Sequence, residues 1–180
     1  MRLSWLIILM IGAVLAQFAW ASHWQIFGVY PNLVLVILVV VTLRAGSRAG
    51  LLGALIGGLA MLFISPFPLG GQGLALLAAM AVSGFLADYV FTAATPFSVL
   101  LQAVVATVVF GLVNLGGTHL IFLMRSWNTE QLWSVELVHT LGQVLYHLVL
   151  IFVLYNLTII CQRWWQTTFR GFSWRKKTIL

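Results

Sequence analysis

A chain of 180 residues that is 62% hydrophobic and only 7% charged cannot keep a water-facing surface solvated. The composition excludes a soluble domain and specifies an all-α polytopic membrane protein. The formal charge of +6 is no nucleic-acid signal, because five of the nine positive residues lie in the last eighteen positions. They form a basic tail beside an apolar segment, an arrangement that suits anionic headgroups of membrane lipid.

Six apolar segments follow one another, at residues 5–22, 29–43, 49–65, 71–90, 97–124 and 138–161, separated by glycine, proline or charge. In the first, Met1-Arg2 and Ala19-Trp20-Ala21 resemble a secretory signal with its small-residue cleavage site. Bulky Phe18 and Trp20 beside that site, and a run long enough to span, favour a retained helix. The second segment opens at Pro31-Asn32, with proline in a common position for a helix start. From Pro31 to Leu43 a helix rises about 20 Å, short of a hydrocarbon core of about 30 Å. Either Phe27 to Tyr30 extend this span, or the helix sits inside the bundle without crossing alone.

The third segment carries Gly46, Gly50, Gly53 and Gly57 at steps of four, three and four, one helical face. Small residues there let a second backbone come close, since packing replaces the missing hydrophobic drive in lipid. A hinge is the lesser reading. Ser65-Pro66-Phe67-Pro68-Leu69-Gly70-Gly71 then stops the helix and turns the chain. In the fourth segment Ala81, Gly84 and Asp88 share a face by the same spacing. Asp88 is the only carboxylate near a span, and an ion pair with Arg48 or Arg44 is expected to tie the cytoplasmic corners together. The alternative is a solvated carboxylate in the headgroup layer.

The fifth segment is overlong, and Asn114-Leu-Gly-Gly-Thr118 is expected to break or bend it. In the polar loop 125–136, Asn128 with Gln131 offers a capping box, and Trp127 and Trp133 suit the membrane–water interface. A short interfacial helix is expected before segment six. His147, about two turns inside that segment, is expected to hydrogen-bond Gln102, Asn114 or Gln143.

Basic residues set the orientation. With six spans, Arg2, Arg44, Arg48, Arg163, Arg170, Arg175, Lys176 and Lys177 share one side and Arg125 alone lies opposite. Both termini are therefore expected in the cytoplasm, with residues 1–162 as one transmembrane domain and 163–180 as a basic cytoplasmic tail.

This topology separates the groups that chemistry would need. His23, His119, His139, Glu130 and Glu136 fall at the outer side, about 30 Å from Asp88 across the core. No Ser/His/Asp triad closes over that distance. Glu136 and His139 at i, i+3 make half of a metal site, but the further carboxylates such a site needs are missing. The single cysteine, Cys161, permits neither an intrachain disulfide nor a thiolate cluster. No catalytic residue, metal or cofactor is expected.

Pro31-Asn32 runs into the Leu33–Val41 stretch, followed by Arg44-Ala-Gly-Ser-Arg48-Ala-Gly50, Gly53, Gly57-Gly58-Leu59, Ser65 and Pro68-Leu69-Gly70. Over about residues 31–70 this order resembles the MreD family of bacterial rod-shape-determining membrane proteins. The family's usual aspartate in the third segment falls at Leu62 here, and its glycine after the serine falls at Pro66, so any role of that carboxylate is absent or moved. The resemblance implies a non-enzymatic scaffold of the cell-elongation complex that builds peptidoglycan, in the bacterial inner membrane. The implied partners are an MreC-like protein, a RodA-like polymerase with its transpeptidase partner and, indirectly, an MreB-like filament. The family is also fold-related to the substrate-binding subunits of energy-coupling-factor transporters. The alternative is therefore a membrane subunit that binds a vitamin-type small molecule, with pocket candidates Trp24, Tyr30, Asn32, Gln72, Asn114, His119 and His139.

Overall fold

The computed structural model describes residues 3–25, 29–64, 70–90, 96–124 and 130–169. Among these it contains six α-helices: α1 (Leu3–Trp20), α2 (Leu33–Ala45), α3 (Ser47–Ile64), α4 (Gly70–Phe85), α5 (Pro96–Met124) and α6 (Glu130–Phe169). A tight 3-10 turn, Ala21–Trp24, follows α1, and a wider π turn, Leu86–Val90, continues α4. Helices form throughout because in lipid a chain must satisfy its own backbone hydrogen bonds. Five of them are long and apolar enough to cross a membrane; α2 is shorter.

Side-chain neighbours give each helix its direction. Gly53 of α3 faces Leu6 and Gly57 faces Met10, so α1 and α3 run parallel. Gly50, Gly53 and Gly57 face Thr42, Leu38 and Val34 in turn, so α2 runs against α3. Gly58 meets Gly73 while Gly84 meets Ser47, which makes α4 antiparallel to α3. Asn32 touches His147 and Arg44 touches Thr158, so α6 is parallel to α2. Arg44, Arg48, Asp88 and the late turns of α6 consequently gather at one end of the bundle, called here the basic end.

The short helix is the centre of the molecule. α2 touches every other helix, and Val34, Leu35, Val36, Leu38, Val39, Val40, Val41 and Thr42 are buried. A helix apolar on all sides belongs inside, and α2 is such a helix. Its thirteen residues rise about 20 Å. The non-helical residues 29–32 that precede it reach up to about 13 Å more. Helix and irregular chain together reach about 33 Å, comparable to the thickness of a hydrocarbon core. Outward, α1 presents Trp5, Ile8 and Leu15, α3 presents Leu52, Leu55, Leu59 and Phe63, and α6 presents Leu145, Val149, Leu157 and Ile160.

Two local expectations are corrected. α5 is one continuous helix through Asn114–Thr118, because a helix in lipid keeps its internal backbone bonds even across a Gly-Gly pair. Among the described residues no separate interfacial helix precedes α6. The helix starts at Glu130 and runs forty residues, since its only breaker candidate is Gly142 and no proline intervenes. The same helix continues past 162 to Phe169; residues 170–180 lie outside the described ones. The proposed Asn128 cap also lies outside them.

Candidate functional site at the start of the central helix

Among the described residues, four of the eight buried polar side chains, Asn32, Thr107, Gln143 and His147, meet at the junction into α2. Pro31 has no N–H to leave unpaired, and it restricts Tyr30 before it to non-helical backbone. Asn32 then caps the helix. Its Oδ1 accepts the Leu35 N–H at 3.0 Å, and its carbonyl accepts the Val36 N–H at 3.1 Å.

Neighbouring helices supply the remaining partners. Gln17 of α1 clasps both sides of Asn32: its Nε2 donates to the Pro31 carbonyl at 3.1 Å, and its Oε1 accepts the Leu33 N–H at 2.5 Å. His147 of α6 accepts the Asn32 N–H on Nε2 at 2.8 Å. A backbone N–H can only donate, so Nε2 holds a lone pair and the ring proton sits on Nδ1. Nδ1 lies 3.1 Å from Thr107 Oγ1 on α5, and the Thr107 hydroxyl donates to the Ala103 carbonyl at 2.8 Å. The result is a directed chain from the Asn32 N–H through imidazole and hydroxyl to a helix carbonyl. Gln143 donates to the Tyr30 carbonyl at 3.5 Å, and the Tyr146 hydroxyl donates to the Trp24 carbonyl at 2.9 Å. Gly142 permits the close approach of α6, since a Cβ there would lie 2.8 Å from Val29 Cγ2.

Each of these bonds replaces water that the interior lacks. An unpaired buried backbone group costs about 1–3 kcal/mol, so the clasp makes an irregular stretch of chain tolerable inside a membrane. Among the described residues no buried side-chain nitrogen or oxygen is without a partner. What the arrangement does chemically is hold: the imidazole, amides and hydroxyl are engaged with the chain itself.

The basic end is built differently. Gly46 joins α2 to α3 at φ 91°, a left-handed conformation that glycine adopts without strain. Ser47 Oγ donates to Asp88 Oδ2 at 2.5 Å. The carboxylate thus meets Ser47 rather than Arg48 or Arg44, because Gly84 lets the end of α4 close directly over Ser47. Arg44 is turned to α6 instead, with Nε and Nη2 each 3.1 Å from Thr158 Oγ1 and the guanidinium 5.0 Å from the Tyr155 ring centroid.

The glycine face is present at Gly50, Gly53 and Gly57, while Gly46, expected on it, is the exposed left-handed joint between α2 and α3. At Gly50 a Cβ would overlap Thr42 Oγ1, at Gly53 it would lie 2.7 Å from Leu38, and at Gly57 3.1 Å from Val34. All three face α2, so this stripe is occupied within the chain. Gly84 is likewise buried, but Ala81 is exposed. The inner stripe of α4 runs through Leu76, Met80 and Ser83 instead. Of the family-motif positions, Pro31 and Asn32 form the clasp and Arg44 the α6 contact. Gly70 begins α4, while Ser65, Pro68 and Leu69 lie outside the described residues.

The clasp joins Trp24, Tyr30 and Asn32 of the pocket candidates to α6. Gln72, Asn114 and His119 are half-buried on α4 and α5, and the side chain of His139 is outside the described ones. Among the described residues, no three His, Cys, Asp or Glu side chains could share a metal ion. His147 was expected to bond Gln102, Asn114 or Gln143; its partners are Asn32 and Thr107, while Gln102 takes the Ser83 hydroxyl at 3.5 Å. Sequence reading missed Gln17, although a lone amide inside an apolar span is a signal that a polar partner waits nearby. Thr107, Tyr146, Tyr155 and Thr158 carry no comparable signal.

Comparison with family models, with curated proteins and with solved structures finds no match for this chain.

Proposed function

We propose that the chain is a non-enzymatic scaffold of the MreD kind in the bacterial inner membrane, serving the complex that elongates the cell wall. The observation that carries this reading is where the motif residues fall. Pro31, Asn32, Gly50, Gly53 and Gly57 hold the central helix in place, so the resemblance lies in what builds the fold rather than in surface composition. Polar side chains within the bundle are bonded to the chain's own backbone and to one another, which suits a rigid body that presents surfaces. Because the glycine face is occupied internally, docking of MreC-like and RodA-like partners falls to the outward leucines of α3 and α6. In this reading the basic end faces the cytoplasm, close to an MreB-like filament.

The test is a photo-crosslinking residue at Leu55 or Leu59 of α3, or at Leu145 or Val149 of α6, in growing rod-shaped cells. The expected product at one or more of these sites is an adduct with an MreC- or RodA-like protein, with rounded cells on depletion. Purified chain that carries a small organic ligand, with no protein adduct at any site, would instead establish the transporter-subunit alternative.

A further inference from the structure

The helices around α2 form a circle that does not close. α1, α3, α4, α5 and α6 all touch α2, and in that order each packs against the next. Among the described residues, α6 and α1 do not pack against each other. The Tyr146 hydroxyl reaches the Trp24 carbonyl at 2.9 Å and so ties α6 to the turn after α1 at one end. Helices of equal diameter fit six around one, at axis separations of about 8–10 Å. Five surround α2, so the sixth position, between α6 and α1, is a gap one helix wide.

The side chains agree with this geometry. Leu33 and Ile37 share one face of α2 and are half-buried, where Val34, Leu35, Val36 and Leu38 beside them are buried. They are the floor of the gap. α6 turns Tyr146 to this side, so Leu150 and Val153, four and seven residues on, form one wall. Val153 is 51% exposed. On α1, Leu6 and Met10 are turned to α3. The right-handed sense of the helix then sets Leu9, Gly12 and Ala16 on the flank away from α3, as the other wall. A Cβ on Gly12 would meet nothing within 4 Å. Both walls lie within apolar windows, Leu3–Trp20 of α1 and Leu141–Cys161 of α6. An occupant at that level must satisfy its own backbone, as a helix does. It would have three of its six sides covered, by α1, α2 and α6. For a helix of about 20 residues, about 30 Å long and about 10 Å across, half of the side surface is about 500 Å², or about 1,000 Å² counting both partners. That reaches the size of a specific interface. On an outward face the same helix would have two sides covered at most and would fall short of it.

We propose that the gap between α1 and α6 seats one transmembrane helix of a separate protein, packed on Leu33 and Ile37 and brought close by the small residues of α1. This recessed position is distinct from the outward leucines of α3 and α6, and it stands whether or not the scaffold reading does. The test places a photo-crosslinking residue at Leu9 or at Val153 of the full chain, in cells that make it natively, and maps each adduct by mass spectrometry. Both walls are expected to capture the same membrane-spanning segment of one protein. Gly12→Leu, on the wall opposite Val153, is expected to lower the yield of the Val153 adduct about tenfold. It should leave the unfolding temperature of the purified chain in detergent unchanged, because the added side chain points into the gap. If Gly12→Leu does not fold, Val153→Trp is read against the Leu9 adduct in the same way. Adducts to lipid alone, to a second copy of this chain, or to different segments from the two walls overturn the proposal. So does a Val153 adduct that Gly12→Leu leaves at native yield.

Discussion

Gly50 is the residue at which substitution should matter most plainly. A methyl group there would occupy the place of the Thr42 hydroxyl, which bonds the Leu38 carbonyl at 2.8 Å and approaches Met80 Sδ at 3.5 Å. Gly50→Ala is therefore expected to destabilise by about 1–3 kcal/mol, the usual cost of overpacking. Gly50→Leu or Gly53→Leu should lower the unfolding temperature in detergent further, and more than Ser47→Ala, which removes only the bond to Asp88. Gly12 and Gly116 are the controls, because a Cβ at either meets nothing within 4 Å. Alanine at those positions should leave stability unchanged or raise it by up to about 1 kcal/mol through helix propensity. Gly50, Gly53 and Gly57 were legible as one face from their spacing of three and four, but Gly46, one step earlier, serves instead as the left-handed joint between helices. The partner of that face was not legible: nothing in the glycine pattern says that Thr42, Leu38 and Val34 lie opposite. The Gly58–Gly73 crossing, with a projected Cβ 3.0 Å from a backbone atom, involves a glycine that no periodicity singled out.

The element that organises the rest is α2. Gln17→Leu leaves the Pro31 carbonyl and the Leu33 N–H without their partner, at about 1–3 kcal/mol for each group buried. His147→Phe does the same to the Asn32 N–H. Both variants should unfold earlier than native protein in detergent, and amide exchange at Asn32 and Leu33 should rise before that of the α3 or α5 interior. Asn32→Ala removes the cap, at about 1 kcal/mol. Asn32→Asp keeps an accepting oxygen over the Leu35 N–H and should be tolerated better than Asn32→Leu. The sequence marked this helix as short and started by Pro-Asn, and it left open whether the chain before it extends the span or the helix sits inside the bundle. It could not show what grips the junction, because His147 is 115 positions from Asn32 and imidazole, amide and hydroxyl leave no spacing signature across such a gap.

At the scale of the whole molecule, six helices of alternating direction bring both described chain ends to the basic end. The count of six apolar segments and their alternation were readable from glycine, proline and charge. The length of α6 was not, because polar loop composition hid a helix without breakers. The cytoplasmic placement proposed for the basic end predicts that Lys176→Cys, in a Cys161→Ser background, reacts with a membrane-impermeant maleimide in inverted vesicles and is protected in intact spheroplasts. The opposite pattern would reverse the topology. The clasp also imposes an order on synthesis. Gln17 leaves the ribosome before the segment it grips, but Gln143 and His147 follow more than a hundred residues later. Until α6 arrives, the stretch leading into α2 holds carbonyl and amide groups that lipid cannot satisfy. A nascent chain halted before residue 130 should therefore carry α2 as a provisional tenant of the insertion machinery, open to intramembrane proteolysis, and the last helix to be made is the one that fixes the second helix in its final position.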